Sequence, residues 1–356
     1  MQDQKRILIC PLNWGLGHAT RCIPLIRLFL KKNAEVIIAA DGRAYELLLK
    51  EFPKLKFIRL KGYEIRYPDK GTMTLKMLQS IPGILKGIRK EHRDLEKIID
   101  QHKIDAVISD NRYGLYSKNV RSVLITHQLM IKSPFGEKFL HSLIQRFVNK
   151  FDECWIPDHA GEDNLSGDLS HKYPIGENTS FISILSRFLC TTPAPEFNFK
   201  IMAIVSGPEP QRSIFENVIS EQILQSSLKA LVVRGLPEQE TKSETKGDVT
   251  FVAHLSSEEM ERAICASELI ISRSGYSTLM DLSKLEKRAI FIPTPGQTEQ
   301  EYLADSLMKK GIAYSVKQSE FNLNSAMKES VKFTGFKKEI EENLAEKKID
   351  ELMRTL

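Results

Sequence analysis

Short apolar runs alternate with amphipathic stretches along the first forty residues. Residues 7–10 are apolar, a loop rich in glycine follows, and the next stretch carries apolar side chains three and four positions apart, at Cys22, Leu25, Ile26, Phe29 and Leu30. That spacing is typical of one face of a helix. Residues 36–40 form a second apolar run. The order strand, glycine loop, helix, strand predicts the opening of a parallel α/β domain.

The same alternation continues through most of the chain. Further apolar runs predict strands at residues 55–60, 106–109, 122–126 and 153–156, and, later in the chain, at 201–205, 231–233, 249–252, 269–271 and 289–292. Longer polar stretches predict helices at residues 87–101, 137–150 and from Arg212 to about 225. Phe336, Ile340, Leu344 and Leu352 predict a charged terminal helix with one apolar edge that packs back onto the body.

A proline-containing stretch divides the pattern into two halves. The segment from Cys190 to Pro195 holds two prolines, which disfavour regular strand pairing. The chain length of 356 residues also suits two domains. We therefore predict an N-terminal α/β domain at 1–190, a linker at 191–200, a C-terminal α/β domain at 201–333 and a terminal helix at 334–356.

Composition narrows the class of protein. Lysine and arginine number 51 against 46 acidic residues, and no basic block is interleaved with aromatic residues, so nucleic acid is not expected as a partner. The five cysteines lie far apart without a C-x-x-C pair, which argues against a disulfide framework and favours a reducing compartment. No apolar run is long enough for a transmembrane helix or a signal peptide, so we expect a cytoplasmic protein.

Ligands of open parallel sheets bind where the strands end, so the loops after strands hold the candidate chemistry. In the first such loop, Gly15 and Gly17 with Thr20 form an incomplete dinucleotide fingerprint, for which Asp41 would be the ribose-binding acid. Alternatively, His18 at the start of the helix is the reacting group.

Three loops of the second half are candidates for an anionic, hydroxyl-rich ligand. The small residues Ser274 and Gly275 at a helix start suit a phosphate, although Thr278-x-x-Asp281 also fits a capping box. Glu299 and Gln300 follow a proline-glycine turn and suit hydroxyl groups, although Thr298-x-x-Glu301 fits a second capping box. In the loop from Ser206, Arg212 could pair with a diphosphate in fork geometry or be solvated.

Together these motifs resemble those of the GT-B glycosyltransferases, and within them the MurG-like group of UDP-N-acetylglucosamine transferases. The resemblance is carried by Gly15-Leu16-Gly17-His18-x-x-Arg21, by residues 272–281 and by residues 295–300, and it extends over about half of the chain. It implies two Rossmann-like parallel-sheet domains that face a cleft. It also implies an enzyme that moves a sugar from a UDP-sugar to a lipid-linked or glycan acceptor.

The resemblance also implies a role for individual residues. Ser274 and Gly275 would hold the diphosphate, Asp281 the ribose, the backbone at His254 and Leu255 the uracil, and Glu299 and Gln300 the donor sugar. The other donor-side candidates lie in the same loops and are Gly207, Arg212, Arg273, Tyr276, Ser277 and Gly296. The acceptor-side candidates are Asn13, Gly15, Gly17, Arg21 and His127.

The chain departs from the group's pattern at three places. Asp281 stands where the group usually has glutamate, Glu299-Gln300-Glu301 replaces a pair of glutamines, and residues 126–128 only partly match a His-Glu-Gln-Asn run. The first two departures bear on ribose binding and on the identity of the donor sugar.

The expected reaction is inverting and independent of a metal, with the UDP-sugar as co-substrate and no further cofactor. The sequence has no Asp-x-Asp near a strand end, and helix N-termini with an arginine can stabilise the departing diphosphate. His18 is the first candidate for the base that activates the acceptor hydroxyl. Asp110, which follows a predicted strand, is the second candidate, and it also fits an Asx turn.

Other interpretations remain open at the level of sequence. They are a UDP-sugar 2-epimerase, a nicotinamide enzyme that uses the Gly15 loop with Asp41, and a non-catalytic subunit that binds nucleotide sugars. Residues 75–90 mix apolar and basic side chains and predict either peripheral contact with an anionic membrane or a domain-edge loop. The sequence specifies neither the sugar, nor the acceptor, nor the oligomeric state.

Overall fold

The computed structural model describes residues 4–62, 73–132, 136–189, 199–239, 243–337 and 343–356; within these ranges, the side chains of residues 73–82 and 84 are not described. The chain divides into two compact units. The first comprises Met1–Trp14, His18–Leu185 and Glu341–Leu356, and the second Gly15–Gly17 and Ser186–Ile340. The division falls at residue 185, a few residues before the predicted domain end at 190, and most of the predicted linker lies outside the described residues.

The first unit is a parallel sheet with helical connections. Its strands are β1 (Arg6–Pro11), β2 (Glu35–Ala40), β3 (Lys56–Arg59), β4 (Ala106–Asp110), β5 (Arg121–Ile125), β6 (Glu153–Ile156) and β7 (Thr179–Phe181). Its helices before the second unit are α1 (Gly17–Lys31), α2 (Gly42–Glu51), α3 (Met73–His102), α4 (Glu137–Val148) and α5 (Asp168–His171). The strand order is β3-β2-β1-β4-β5-β6-β7, and every pair is parallel.

The second unit repeats this architecture. Its strands are β8 (Phe199–Ile204), β9 (Ala230–Val233), β10 (Ser243–Lys246), β11 (Val249–Val252), β12 (Ser267–Ser272), β13 (Ala289–Phe291) and β14 (Tyr314–Ser315). Its helices are α6 (Gln211–Leu224), α7 (Ser257–Cys265), α8 (Tyr276–Lys284), α9 (Thr298–Lys309) and α10 (Leu323–Ser330), with a 3₁₀ turn at Gln318–Glu320. The strand order is β10-β11-β9-β8-β12-β13-β14, and only β10 runs antiparallel to its neighbour among these strands.

Both sheets reverse their strand order beside the first strand of the unit, between β1 and β4 and between β8 and β12. Sheets of this kind bind ligands at that switch point, beyond the carboxyl ends of the strands. The strands β1, β2, β4 and β12 are almost continuously buried, and each contains an apolar run of at least three residues, as expected where helices cover both faces of a parallel sheet. The predicted α/β class with two Rossmann-like sheets is therefore confirmed.

The strands that sequence reasoning missed are short or exposed. β7 and β14 have three and two residues, which is too few for a recognisable pattern. All four residues of β10 are exposed, so this edge strand shows no apolar alternation. In contrast, residues 75–90 lie within α3, so the predicted domain-edge loop is wrong. The membrane interpretation of this segment depends on side chains outside those described.

The terminal helix, α11 (Leu344–Thr355), is shorter than predicted and belongs to the first unit. Phe336 precedes it and packs edge-on against Phe291 in the second unit, so it is not part of the helix; Ile340 lies outside the described residues. Packing back onto the body is confirmed, because Ile349 and Leu352 are buried and Glu346 pairs with Lys31 on α1 at 2.9 Å.

No helix among the described residues is both long and apolar enough to cross a membrane. Cys10, Cys22, Cys154 and Cys265 are free thiols, in agreement with the predicted lack of a disulfide framework for these four residues.

Gly235, just beyond the carboxyl end of β9, provides a test of the second sheet. Its φ is +68°, and a Cβ added there would lie 2.4 Å from the carbonyl oxygen of Val205. We expect Gly235→Ala to lower the free energy of unfolding by about 2–4 kcal/mol, because strain at positive φ adds to a backbone clash. The matched control is Gly247→Ala, where φ is +59° and no atom lies within 4 Å. Urea denaturation measures the free energy of unfolding of both variants. Equal decreases would mean that the contact with Val205 adds nothing to the strain at positive φ.

Candidate functional site

The first candidate site lies at the carboxyl edge of the first sheet. Asp110 is the last residue of β4, whose neighbours are β1 and β5, and in the ladder it faces Pro11 and Ile125. His18 and Arg21 come from the first turns of α1, which follows β1, and His127 comes from the loop after β5. Three adjacent strand ends therefore bring together His18, Arg21, Asp110 and His127, which we call the first-unit cluster.

Asp110 is at the centre of this cluster. Arg21 donates through Nε to Oδ2 and through Nη2 to Oδ1 of Asp110, in a bidentate pair. His18 Nδ1 lies 2.6 Å from Oδ1 of the same carboxylate, and Nη1 of Arg21 lies 3.0 Å from Nδ1 of His127. All four residues are buried, and Asp110 has no exposed surface. The carboxylate thus holds a histidine and an arginine in fixed positions.

The charges in the cluster settle which groups are ionised. Burial opposes ionisation of Asp110, but the charge of Arg21 and the hydrogen bonds from Arg21 and His18 outweigh it and lower the pKa of the carboxyl to about 2. The pKa of His18 is lowered from its usual value, first by burial and then by the positive charge of Arg21. At neutral pH the cluster therefore holds an ionised Asp110 and an uncharged His18 imidazole.

The loop before α1 turns sharply at Gly15. Gly15 has a φ of +76°, a conformation that favours glycine, and Gly17 begins α1. Asn13 is exposed, and its side chain lies over Gly42, where an added Cβ would be 2.2 Å from Nδ2 of Asn13. Asp41 was the predicted ribose-binding acid of a dinucleotide site. It lies between β2 and α2, and its carboxylate accepts a hydrogen bond from the Gly62 amide at 3.3 Å.

The second candidate site lies where β12 leads into α8. Gly275 is the N-cap residue and has no side chain with which to cap the first turn. Ser274 is buried, and its hydroxyl donates to the carbonyl of Gln300 at 2.8 Å. Tyr276 is buried and Ser277 is partly exposed in the same turn. A helix start with amides that no side chain caps is suited to an anionic group.

Arg273 precedes this helix start and is only 1% exposed. It donates to four neutral acceptors: the carbonyl oxygens of Ile292, Pro293 and Gln211 at 2.9, 3.0 and 3.3 Å, and Oε1 of Gln318 at 2.6 Å. Its guanidinium also lies 3.9 Å from the centroid of the Phe215 ring. Burial lowers its pKa to about 9. Arg273 therefore joins the loops around the helix start, whereas the sequence predicted a direct donor contact.

The structure corrects the prediction for Arg212. Its guanidinium donates to the carboxylates of Glu209 and Glu216, to the carbonyl oxygen of Arg234 at 3.1 Å and to the Ser213 hydroxyl at 2.7 Å. Both edges of the fork are therefore occupied by groups of the protein itself, and a diphosphate would have to displace two carboxylates. Gly207, in the same loop, has a φ of +113°.

Asp281 does not form the predicted capping box, because α8 begins at Tyr276 and Asp281 lies in its interior. Its Oδ1 accepts from the Ser186 hydroxyl at 2.7 Å, and its Oδ2 lies 3.5 Å from Nε of Arg187. Burial raises the pKa of Asp281, and the charge of Arg187 opposes this effect. Sequence reasoning missed Ser186 and Arg187, since they lie 95 and 94 positions away and no local motif links them to Asp281.

The loop after β13 is held by its own polar side chains. Gln297, not Thr298, caps α9, and its side chain accepts from the amide of Gln300. Gln300 Oε1 in turn accepts from the amide of Thr294 at 2.8 Å, and Glu301 Oε1 accepts from that of Gly296 at 2.9 Å. The second predicted capping box is therefore wrong. Glu299 and Gln300 are both partly exposed in the first turn of α9.

His254 and Leu255 lie just beyond β11, the strand next to β9. His254 is buried and Leu255 is partly exposed. A capping box that sequence reasoning missed, formed by Ser256 and Glu259, begins α7 directly after them. In the part of the chain that the structure describes, no group of three or more His, Cys, Asp or Glu side chains is arranged to hold a metal ion.

Comparisons with known proteins found similar sequences and similar folds. Residues 211–356 match the glycosyltransferase family 28 C-terminal domain. The chain is 28% identical over 344 residues to the UDP-N-acetylglucosamine--N-acetylmuramyl-(pentapeptide) pyrophosphoryl-undecaprenol N-acetylglucosamine transferase of Buchnera aphidicola, a match that covers 92% of this chain and 88% of the relative.

Solved structures with the same fold include two transferases. The crystal structure of Acinetobacter baumannii MurG superposes with a TM-score of 0.58 at 12% identity, covering 98% of this chain and 99% of that one. The spinosyn rhamnosyltransferase SpnG complexed with thymidine diphosphate superposes with a TM-score of 0.60 at 12% identity, covering 98% and 96%. At these identities the likeness concerns the fold alone.

Proposed function

Since this chain is a glycosyltransferase with the GT-B fold and is similar to MurG, we propose that it moves a sugar from a UDP-sugar to an acceptor hydroxyl. The transfer inverts the anomeric carbon and proceeds without a metal ion. The observation that carries this proposal is the start of α8, where the N-cap residue is a glycine and follows Arg273, a buried cation whose hydrogen-bond acceptors are all neutral.

The start of α8 suits the departing diphosphate for electrostatic reasons. Cleavage of the bond between sugar and nucleotide leaves additional negative charge on the diphosphate, and the positive end of a helix dipole stabilises it. Arg273 adds a full positive charge that no carboxylate among the described residues neutralises. Together they take the part that a divalent cation has in metal-dependent transferases.

The remaining donor contacts follow from the loops around this helix. We assign the uracil to the backbone at His254 and Leu255, the ribose to Asp281, and the sugar to Glu299 and Gln300. The partial exposure of Glu299 and Gln300 at the start of α9 supports their role. Asp281 is occupied by Ser186 and Arg187, so a ribose hydroxyl would replace the Ser186 hydroxyl on the carboxylate.

His18 is the base in the proposed mechanism. Its Nδ1–H donates to ionised Asp110, which leaves the lone pair of Nε2 to take the proton of the acceptor hydroxyl as the oxygen attacks the anomeric carbon. Asp110, the alternative base, is unsuited to this step because it is fully buried and its pKa is about 2. We assign it the role of orienting His18. The acceptor would be lipid-linked or a glycan, in keeping with the name of the Buchnera relative.

A panel of nucleotides tests the donor. We expect UDP and UDP-sugars to raise the melting temperature of the protein more than TDP, GDP or their sugars. The second candidate donor is a TDP-sugar, because SpnG, a neighbour in fold, has been crystallised with thymidine diphosphate. A larger shift with TDP or GDP would contradict the uridine assignment.

The same protein preparation tests the reaction. Release of UDP from a UDP-sugar in the presence of acceptors is expected from a transferase, whereas a non-catalytic binding subunit would bind UDP and release none. Interconversion of a UDP-sugar without an acceptor would instead identify a 2-epimerase.

A further inference from the structure

Arg21 contacts three other members of the first-unit cluster at once. Nε and Nη2 donate to the two oxygens of Asp110, Nη1 lies 3.0 Å from Nδ1 of His127, and Nη2 lies 2.7 Å from Nδ1 of His18. The guanidinium is 2% exposed, so water does not screen these contacts effectively. A single cation therefore acts on two imidazoles and one carboxylate.

The contact with Arg21 determines which nitrogen of His127 carries a proton. A guanidinium can only donate, so Nδ1 of His127 must be the acceptor and must lack a proton. The ring is then neutral, with its proton on Nε2. If Nδ1 of His127 carried a proton, its N–H would point at an N–H of Arg21 Nη1, with the two nitrogens 3.0 Å apart.

His18 has the opposite tautomer. Its Nδ1 lies 2.6 Å from Oδ1 of Asp110, and without a proton the two lone pairs would repel each other at that distance. Nη2 of Arg21 has an alternative acceptor in the same Oδ1, so it does not need Nδ1 of His18. The proton of His18 therefore lies on Nδ1, and its Nε2 is unprotonated.

We propose that Arg21 is a positioning residue that sets the proton positions of the cluster: it fixes His127 as the Nε2–H tautomer and keeps the His18–Asp110 pair from becoming an imidazolium. The link to catalysis rests on the proposed function, in which neutral His18 takes a proton. The tautomers themselves do not depend on it.

The charged and titratable groups around His18 define the direction of the effect. Asp110 from β4 favours a charged imidazole, whereas burial, Arg21 from α1 and His127 after β5 disfavour it, and the pKa of His18 is lowered as a result. Cys22 on α1 faces the same carboxylate, but burial raises the pKa of its thiol, so it stays neutral. Arg21 therefore opposes the effect of Asp110 on His18.

Long-range ¹H–¹⁵N spectra of the ¹⁵N-histidine-labelled full chain test this proposal directly, with His18→Gln and His127→Gln for assignment. We expect Nδ1-protonated His18 and Nε2-protonated His127 at pH 7. In Arg21→Met, Asp110 would keep only His18 as a charge partner, and the pKa of His18 should rise by about one to three units. The acid limb of kcat/KM should move to higher pH by the same amount.

Two further variants keep the test decisive. Arg27→Met removes an arginine from the same helix that pairs with Glu51 away from the cluster, and it should leave both tautomers and the pH profile unchanged. Arg21→Lys retains the charge if Arg21→Met does not fold. It should keep the pKa of His18 low but release His127, because one ammonium group cannot hold both partners in fork geometry.

Several results would overturn the proposal. They are an Nε2-protonated His18 in the wild-type protein, an Nδ1-protonated His127 in the wild-type protein, and an unchanged pKa of His18 in Arg21→Met. If no sugar transfer is detected while the spectra show the expected tautomers, the proposed function fails and the assignment to Arg21 stands.

Discussion

His18→Ala is expected to lower turnover by roughly 10²–10⁴-fold, the usual contribution of a general base. The loss should appear in kcat, because the ring makes its charged contacts with Asp110 and Arg21, and the donor contacts are proposed in the second unit. Steady-state kinetics of UDP release measure kcat, and calorimetric titration with UDP measures the affinity for UDP.

The control for this variant is His102→Ala, which removes a histidine at the end of α3 that contacts Lys56 at 3.0 Å. It should retain wild-type turnover. Near-normal turnover in His18→Ala would remove His18 from the mechanism. A parallel loss of UDP affinity would mean that the histidine also supports the donor site.

Arg273→Met is expected to weaken UDP binding by about 10–100-fold and to lower the melting temperature. The variant loses the positive charge beside α8 and removes the donor of four hydrogen bonds, one buried and three partly buried. A buried acceptor that is left unpaired costs about 1–3 kcal/mol. Uridine, which lacks the diphosphate, should lose less affinity than UDP. That difference separates the effect of the charge from general damage to the site.

Arg212→Gln is the matched control for Arg273. Arg212 is in the first turn of α6 and Arg273 follows β12; Arg212 is neutralised by Glu209 and Glu216, whereas Arg273 contacts only neutral acceptors. We therefore expect UDP affinity in Arg212→Gln to stay within about twofold of the wild-type value. Equal losses of UDP affinity in both variants, or wild-type UDP affinity in Arg273→Met, would contradict the proposal that the charge of Arg273 stabilises the diphosphate.

The fold was largely predictable because buried parallel strands leave a strong local signal. The apolar runs that end at Cys10, Ser109 and Ile271 are strands in the structure, and the residues that follow these runs hold the candidate sites. The signal fails where a strand is exposed, as in β10, or where a helix boundary depends on one capping residue. Gln297, and not the predicted Thr298, caps α9, and α11 begins at Leu344 although a helix was predicted from residue 334.

The sequence predicted which loops hold the candidate sites, but it predicted few of the contacts that their side chains make. Glycines and a histidine after β1 identify the first loop, yet nothing local indicates that Arg21 reaches Asp110 across 89 positions. The same limit explains the difference between Arg212 and Arg273, since the partners that neutralise a charge are chosen by tertiary packing. Whether an arginine is available for a ligand therefore depends on residues outside the local sequence motif.

The position of α11 has a practical consequence for dissecting the protein. The family 28 match extends from residue 211 to 356, but its last helix buries Ala345, Ile349 and Leu352 within the first unit. A fragment of residues 211–356 would expose the apolar face of α11. The complementary fragment, residues 1–210, would expose the apolar surface that α11 covers in the first unit. Isolated halves should therefore aggregate unless the final helix is grafted back onto the N-terminal piece.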